Sequence, residues 1–267
     1  MSHDGVLARA LSVLQAVASG DGAVSRAAIA ERTGLPKATS NRIVGQLVAQ
    51  RMLQPTRGGV RLGMRLFELG NLAEQRGLGL RDAATPYLAD LYEVLRETVQ
   101  LAVLDGFDVV YLQKISGRTS TKIDTRVGGR MPATCTGSGK VLLAFADPEF
   151  RQQLIVERGL PARTARSITD PDVLNAELQL VRQRKYAVDK EEFQIGTTSV
   201  AAPIFHDSVV VAAATISIQA DRLAVQAVVP TLLATTAAIS RELLDGKPGT
   251  SSWNLVRVDP FGRNELR

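Results

Sequence analysis

The fold is decided by residues 25–62, which have the sequence SRAAIAERTGLPKATSNRIVGQLVAQRMLQPTRGGVRL. Ser25 is placed to cap the free amides of a short helix, and Gly34 can end that helix in the left-handed conformation without a Cβ penalty. Pro36 has its φ preset for the first position of a second helix, expected at 36–51. Two helices joined by so short a turn must cross steeply, so this stretch predicts a helix-turn-helix.

The second helix has one core side and one side made of small and polar residues. A rotation of about 100° per residue places Ser40, Ile43, Val44 and Leu47 on the core side. Small residues with hydrogen-bond donors can enter the major groove of DNA closely and still contact base edges. The residues expected to contact DNA are Ser25, Lys37, Ala38, Thr39, Asn41, Arg42 and Gln46. A solvated helix surface is the alternative interpretation.

Charge distribution favours the DNA interpretation. Residues 1–77 contain ten Lys and Arg but only five Asp and Glu, a net charge of +5. The chain has 32 basic and 27 acidic residues, which leaves 22 of each for the remainder. The whole excess therefore lies on the helix-turn-helix segment, as phosphate binding requires. Within it, Arg42 is the candidate for guanine and Gln46 the candidate for adenine.

A small hairpin is predicted directly after the second helix. Residues 52–55 and 60–62 have the composition of short strands, and a Gly-rich turn separates them. A hairpin behind a recognition helix is a wing. Arg57 and Arg61 would lie beside the sugar-phosphate backbone, where they position the domain without specifying sequence.

The chain of 267 residues, 45% of them hydrophobic, is long enough for two globular domains. We expect a winged helix-turn-helix domain at 1–62, a linker helix at 63–79, a larger domain at 80–246 and a tail at 247–267. Without a run of 18 apolar residues or a signal peptide, and with one cysteine, the chain is expected in the cytoplasm and not in a membrane. Apolar side chains of the linker helix would pair with a second subunit or pack within one chain.

The larger domain alternates helices and strands. Helices are predicted near 82–96, 138–145, 147–157, 171–184 and 223–244. Strands are predicted near 98–104, 108–116, 197–205 and 209–218, and residues 117–132 are expected to be irregular. Strand pairs joined by hairpins, with helices beside them, indicate an α+β fold whose sheet is antiparallel at least in part.

Several motifs in order resemble the IclR-type transcriptional regulators. They are LPKATSNRI at 35–43, ETVQL at 97–101, VGGRMP at 127–132, GSGK at 137–140, YAVDKEE at 186–192 and VAAPIF at 200–205. The resemblance implies a winged helix-turn-helix, a linker helix and a GAF-like domain that binds a small effector. It also implies a homodimer or tetramer that acts on promoter DNA as a repressor, an activator or both.

The resemblance further implies an effector site for a small organic acid or aromatic catabolite. Its residues would be Thr136, Gly137, Ser138, Asp189, Ser199, Ser217 and Gln219. Gly137 and Ser138 open a helix, so free amides and the helix dipole would hold a carboxylate there. The chain departs from the family pattern at Ala38, at Ser40, and at Gln219, where small-acid binders often carry Ser.

Catalysis is the competing class of function. A phosphate-binding loop would need Gly at position 134 and Ser or Thr at 141, which Thr134 and Val141 do not provide. No general base is paired with a nucleophile, so a metabolite-binding enzyme with an appended DNA-binding domain is the weaker alternative. No cofactor, metal site or catalytic residue is expected. Cys135 is interpreted as a small buried hydrophobe, with oxidation sensing as the alternative.

Overall fold

The computed structural model describes residues 5–20, 22–77, 79–220 and 225–245. The chain separates into two compact units, residues 1–77 and 78–267, which we describe one at a time. The tail predicted at 247–267 lies outside the described residues.

Unit 1 is a winged helix-turn-helix. Its elements are α1 (Val6–Ala18), α2 (Arg26–Thr33), α3 (Lys37–Ala49), β1 (Leu53–Thr56), β2 (Gly59–Leu62) and α4 (Met64–Gly77). The two strands pair antiparallel as the predicted wing. Apolar side chains of the first three helices and the hairpin form one small core, to which Val13, Ile29, Val44, Leu53 and Val60 belong.

The turn between α2 and α3 follows the predicted chemistry. Ser25 Oγ accepts a hydrogen bond from the amide of Ala28 at 3.1 Å, so it caps α2. Gly34 ends α2 with φ of 65° in the left-handed region. Pro36 is the cap of α3 rather than its first residue, and α3 ends at Ala49. The expected span of 36–51 was therefore slightly too long at both ends.

Unit 2 is an α+β domain built on one antiparallel sheet. Its elements are α5 (Leu80–Leu95), β3 (Thr98–Asp105), β4 (Asp108–Ile115), β5 (Arg130–Pro132), α6 (Gly137–Phe145), α7 (Pro148–Arg158), α8 (Pro171–Arg184), β6 (Ala187–Lys190), β7 (Thr197–His206), β8 (Val209–Gln219) and α9 (Val225–Asp245). The strand order is β5-β4-β3-β8-β7-β6, and every pair is antiparallel.

Three elements were not predicted. These are α1, the short strand β5 inside the stretch expected to be irregular, and β6 within the YAVDKEE motif. Both strands have only three or four residues, and they lie at the two edges of the sheet. Their pairing is set by partners distant in sequence, so local periodicity gives little signal for them.

Helices cover both faces of this sheet. Residues of α5 and α9 share one core with the β8 residues Ala212, Ala214 and Ile216. Residues of α6, α7 and α8 share the other core with Ala213. Because strand side chains alternate between faces, the odd-numbered β8 residues face the α6 side.

Helix α9 is long and apolar enough, by length and composition over Val225–Leu244, to cross a membrane. Its side chains Val228, Leu232, Ile239 and Leu243 are nevertheless buried in the unit 2 core. Their spacings of four and seven residues are those of one helix face. This segment therefore packs as a core helix of the domain.

Candidate DNA-binding and effector sites

The predicted DNA-contacting residues lie mainly on one exposed side of α3. Lys37, Ala38, Asn41, Arg42 and Gln46 are exposed, whereas Thr39 is half-buried. The core side carries Ser40, Ile43 and Val44, all buried as expected. The arrangement presents two cationic side chains, two amides and a small residue to solvent.

The wing is held close to the start of α2. A bridge joins Val24 to Val60, with amide-to-carbonyl distances of 2.8 and 2.9 Å. A Cβ at Gly59 would lie 2.1 Å from the carbonyl oxygen of Val24, so only glycine fits there. This fixes the wing beside Ser25 and the exposed Arg26, a cation that the sequence interpretation did not include.

The two wing arginines differ in their surroundings. Arg57 lies in the exposed turn of the hairpin. Arg61 donates from Nε and Nη2 to Gln54 Oε1 across the two strands, at 3.2 and 3.0 Å. Arg61 is therefore partly ordered before any partner binds.

The predicted effector residues begin at the first turn of α6. Thr136 Oγ1 caps the helix by accepting from the amide of Gly139 at 3.1 Å. The amides of Gly137 and Ser138 belong to the first turn of α6, where an amide has no acceptor within the helix. A Cβ at Gly137 would lie 3.5 Å from Ala201 Cβ and from the Ser199 carbonyl oxygen. The start of α6 is thus placed directly against strand β7.

Buried polar side chains face α6 from the sheet. Asp189, Ser199 and Ser217 are direct neighbours on three adjacent strands. Ser199 Oγ and Ser217 Oγ are 3.1 Å apart and share a hydrogen bond. Gln219 lies two residues further along β8 and is exposed, so it is at the rim of this group.

Asp189 is both buried and tied to the chain that follows it. Its Oδ1 accepts from the amides of Glu192 and Phe193, at 2.7 and 3.3 Å. Desolvation, with the nearby Glu192 carboxylate, raises the pKa of Asp189 to about 7. Its carboxyl group therefore changes charge close to neutral pH.

Lys140, in the GSGK motif, makes its polar contacts inside unit 2. Its buried Nζ donates to the carbonyl oxygen of Val188 at 2.6 Å and to Glu192 Oε1 at 2.5 Å. The amine is thereby used to hold the segment after β6 against α6. Its partners are about 50 residues away in sequence, which is why the motif alone did not predict this role.

Tyr111 and Cys135 also lie near the predicted effector residues, although neither was predicted as a site residue. The Tyr111 phenol interacts with both Ser138 and Asp189, and burial raises its pKa to about 12. Burial likewise raises the pKa of Cys135 to about 12, and its side chain packs with Ile123 and Phe193. This favours the buried-hydrophobe interpretation of the cysteine. In the described part of the chain, no group of three or more His, Cys, Asp or Glu could hold a metal ion.

Unit 1 has an exposed, cationic recognition helix with a wing, and unit 2 is an α+β unit with a buried polar site. This combination defines a ligand-responsive DNA-binding protein. The family model of the IclR helix-turn-helix domain matches residues 6–57. The family model of the bacterial transcriptional regulator IclR C-terminal domain matches residues 74–241. The chain belongs to the IclR family of bacterial transcriptional regulators.

Individual relatives agree with this assignment. The probable transcriptional regulator SauR of Cupriavidus necator is 34% identical over 74% of this chain and 79% of its own length. The Pca regulon regulatory protein of Pseudomonas putida is 31% identical over 89% of this chain and 82% of its own. The crystal structure of an IclR homolog complexed with 4-hydroxybenzoate, from Microbacterium hydrocarbonoxydans, has a TM-score of 0.82 and 32% identity, covering 90% of this chain and 99% of that one. The chain is a transcriptional regulator with an N-terminal DNA-binding domain and a ligand-binding C-terminal domain.

Proposed function

We propose that this regulator binds a small carboxylate, such as an organic acid or an aromatic catabolite, and that this binding changes its affinity for operator DNA. The observation that carries this is the start of α6, where Gly137 packs against Ser199, whose hydroxyl shares a hydrogen bond with Ser217. Helix N-termini attract anions, and hydroxyls can orient them. A structural relative in complex with 4-hydroxybenzoate supports an acid of this kind.

We infer that the effector contacts the predicted residues in three ways. The amides of Gly137 and Ser138, beneath the Thr136 cap, would hold the carboxylate. Ser199 and Ser217 would orient it, and Asp189 would set the charge of the site. Gln219 would contact only the outer end of a ligand, because its side chain is exposed.

On DNA, α3 would enter the major groove with Ala38 facing the bases. Arg42 would bind guanine and Gln46 adenine, while Thr39 would approach a thymine methyl or a phosphate. The backbone contacts would come from Ser25, Lys37, Asn41, Arg57 and Arg61. The chain would then consist of a DNA-binding domain at 1–62, a linker helix at 63–79, an effector-binding domain at 80–246 and a tail at 247–267.

A sensor rather than an enzyme is the better interpretation of this site. Ser138 lies beside the Tyr111 phenol, whose pKa is raised to about 12. The pKa of the neighbouring Cys135 is also raised to about 12. Neither group supplies a base or a thiolate at neutral pH.

We further propose that the protein works in the cytoplasm as a homodimer or tetramer. Helix α4 exposes Met64, Phe67, Leu69 and Leu72. Apolar side chains clustered on one helix are a suitable surface for a second subunit. Two recognition helices would then reach half-sites about one helical turn of DNA apart, roughly 34 Å.

The proposal is tested by selecting fragments of the source genome on the purified protein and titrating the best fragment. Arg42→Ala should weaken binding to it by about tenfold or more, as expected for one bidentate base contact. Arg118→Ala, which removes an exposed arginine from unit 2, should bind like the wild type. Titrations at two salt concentrations separate base contacts from phosphate attraction. Equal, weak and salt-sensitive binding of all fragments would contradict sequence-specific recognition.

A further inference from the structure

A cavity of unit 2 lies among helices α6, α7 and α8 and contains none of the predicted effector residues. Its volume is about 350 Å³, which is within the range of small-molecule sites and near the lower end of that range. Its lining residues are Ala144, Arg151, Asn175, Leu178, Gln179 and Arg182. Two of them, Ala144 and Leu178, are buried apolar residues, and the other four are polar or charged. The cavity therefore combines a small apolar wall with two cations and two amides.

The two arginines of this cavity meet at the C-terminal end of α6. Arg151 Nη1 donates to the carbonyl oxygen of Ala146 at 2.8 Å and to that of Leu143 at 3.4 Å. Arg182 donates from Nε to the carbonyl oxygen of Ala144, and its Nη2 lies 3.5 Å from that of Ala146. Because both arginines approach the same Ala146 oxygen, their charges lie within about 6 Å of each other, close enough to repel.

This pair of cations keeps an excess of positive charge. In the part of the chain that the structure describes, no carboxylate forms an ion pair with Arg151 or Arg182. Burial and the Arg182 charge lower the pKa of Arg151, and the attraction of Asp147 offsets only part of this effect. The C-terminal end of α6 contributes roughly half a negative charge against two full positive charges. The excess is one that a bound anion can balance.

Both guanidinium groups also retain donors for such an anion. Among the described residues, Arg151 uses Nη1 alone, which leaves its Nε and Nη2. Arg182 uses Nε and Nη2, which leaves its Nη1. Asn175 and Gln179 are exposed and lie one turn apart on α8, so their amides can contact the rest of a ligand.

We infer that this cavity binds a phosphate group, as inorganic phosphate or as a small phosphate monoester, which Arg151 and Arg182 hold together. A phosphate carries about −1.5 to −2 charge at pH 7, and guanidinium groups bind its oxygens in a bidentate manner. A monocarboxylate balances only one of the two cations. A dicarboxylate has enough charge but spreads it over two groups, whereas both arginines converge on one point.

The phosphate site and the proposed carboxylate site lie at opposite ends of α6. This helix has nine residues, so the two ends are about 13 Å apart and both sites can be occupied at once. The inference therefore does not depend on the carboxylate site at the start of α6.

The test is calorimetric titration of the full-length protein at fixed ionic strength with inorganic phosphate, glycerol phosphate, succinate and glycerol. At least one phosphate compound should bind with a dissociation constant of about 1 mM or lower. Arg182→Gln should weaken this binding by about tenfold or more, the effect of losing one charge-assisted contact. Arg182→Lys keeps the charge and a donor for the Ala144 carbonyl but lacks the planar fork, so it should weaken binding by about threefold to tenfold.

Arg158→Gln is the matched control, because it removes an exposed arginine from α7 outside the cavity. It should change phosphate binding by less than about twofold. Tighter binding of glycerol phosphate than of inorganic phosphate would identify an ester as the ligand, and the reverse would identify phosphate itself; either result supports the site. No binding of either phosphate compound, equal losses in Arg158→Gln and Arg182→Gln, or tighter succinate binding that depends on Arg182 would overturn the inference. Any of these results would leave the proposed carboxylate site untouched.

Discussion

Among single residues, Asp189 has the clearest consequence for ligand binding. Its pKa of about 7 means that the carboxyl group is largely neutral below that pH and ionised above it. Glu192 favours the neutral form and Lys140 the ionised one. A carboxylate ligand is ionised throughout this range, so ionised Asp189 repels it.

We therefore predict that the affinity for a carboxylate falls as pH rises through 7. Between about pH 6 and pH 8 the dissociation constant should increase by roughly fivefold to tenfold, the limit for one coupled proton being tenfold per pH unit. Asp189→Asn keeps an oxygen to accept from Glu192 and Phe193 but removes the charge. Titration calorimetry at several pH values should show a flat profile for this variant, and a profile like that of the wild type would exclude Asp189 as the titrating group.

The residues of the proposed effector site were predictable only in part. The GSGK and YAVDKEE motifs indicated the helix start and Asp189, because both have a chemical signature in sequence. Tyr111 lies in an ordinary alternating strand. Its place beside Ser138 and Asp189 depends on the packing of segments that are far apart in sequence. Packing of that kind also sets strand register, which one sequence does not reveal.

Among the helices, α3 contains a glycine that its own fold does not require. Gly45 lies on the exposed side with Ala38, Arg42 and Gln46, and a Cβ there would meet nothing within 4 Å. A glycine within a helix costs about 0.5–1 kcal/mol relative to alanine. If the exposed side of α3 docks in the major groove, the missing Cβ permits a closer approach of backbone to bases.

Gly45→Ala should therefore have two opposite effects. Thermal or chemical unfolding should show unit 1 stabilised by about 0.5–1 kcal/mol. Operator binding, measured by titration, should weaken by about tenfold, equivalent to 1.4 kcal/mol. Gly70→Ala is a matched control, because Gly70 is an exposed glycine of α4 that also has nothing within 4 Å of its Cβ position. It should stabilise the protein and leave binding to DNA with a single half-site unchanged; equal binding of that DNA by both variants would place Gly45 away from the groove.

At the level of elements, the helices and hairpins with strong local signals were predicted closely. Asp170 caps α8 by accepting from the amides of Asp172 and Val173, and α8 spans the predicted 171–184. Helix α1 has a useful apolar pattern, but its cap is Gly5 without a side-chain hydrogen bond. The start signal on which helix prediction relies is therefore absent from α1.

At the scale of the whole molecule, the exposed apolar residues of α4 are the proposed surface through which two subunits pair their DNA-binding domains. Phe67 is 66% exposed in the described chain, and Met64, Leu69 and Leu72 are exposed on the same helix. Large apolar side chains grouped on one element of a soluble protein usually mark an interaction surface. A pair of recognition helices also multiplies affinity, because binding of the first half-site raises the effective concentration at the second.

Phe67→Glu should therefore weaken self-association, since it places a charge in the proposed interface between subunits. Sedimentation analysis should show a shift toward monomer at concentrations where the wild type is a dimer or tetramer. Affinity for DNA with two half-sites should fall, whereas affinity for a single half-site should stay within about twofold, because α3 itself is unchanged. Val156→Glu changes an equally exposed residue of α7, 73% exposed, and should alter neither quantity. If Phe67→Glu keeps the wild-type assembly, subunits must pair through another surface, and α4 then acts as a linker alone.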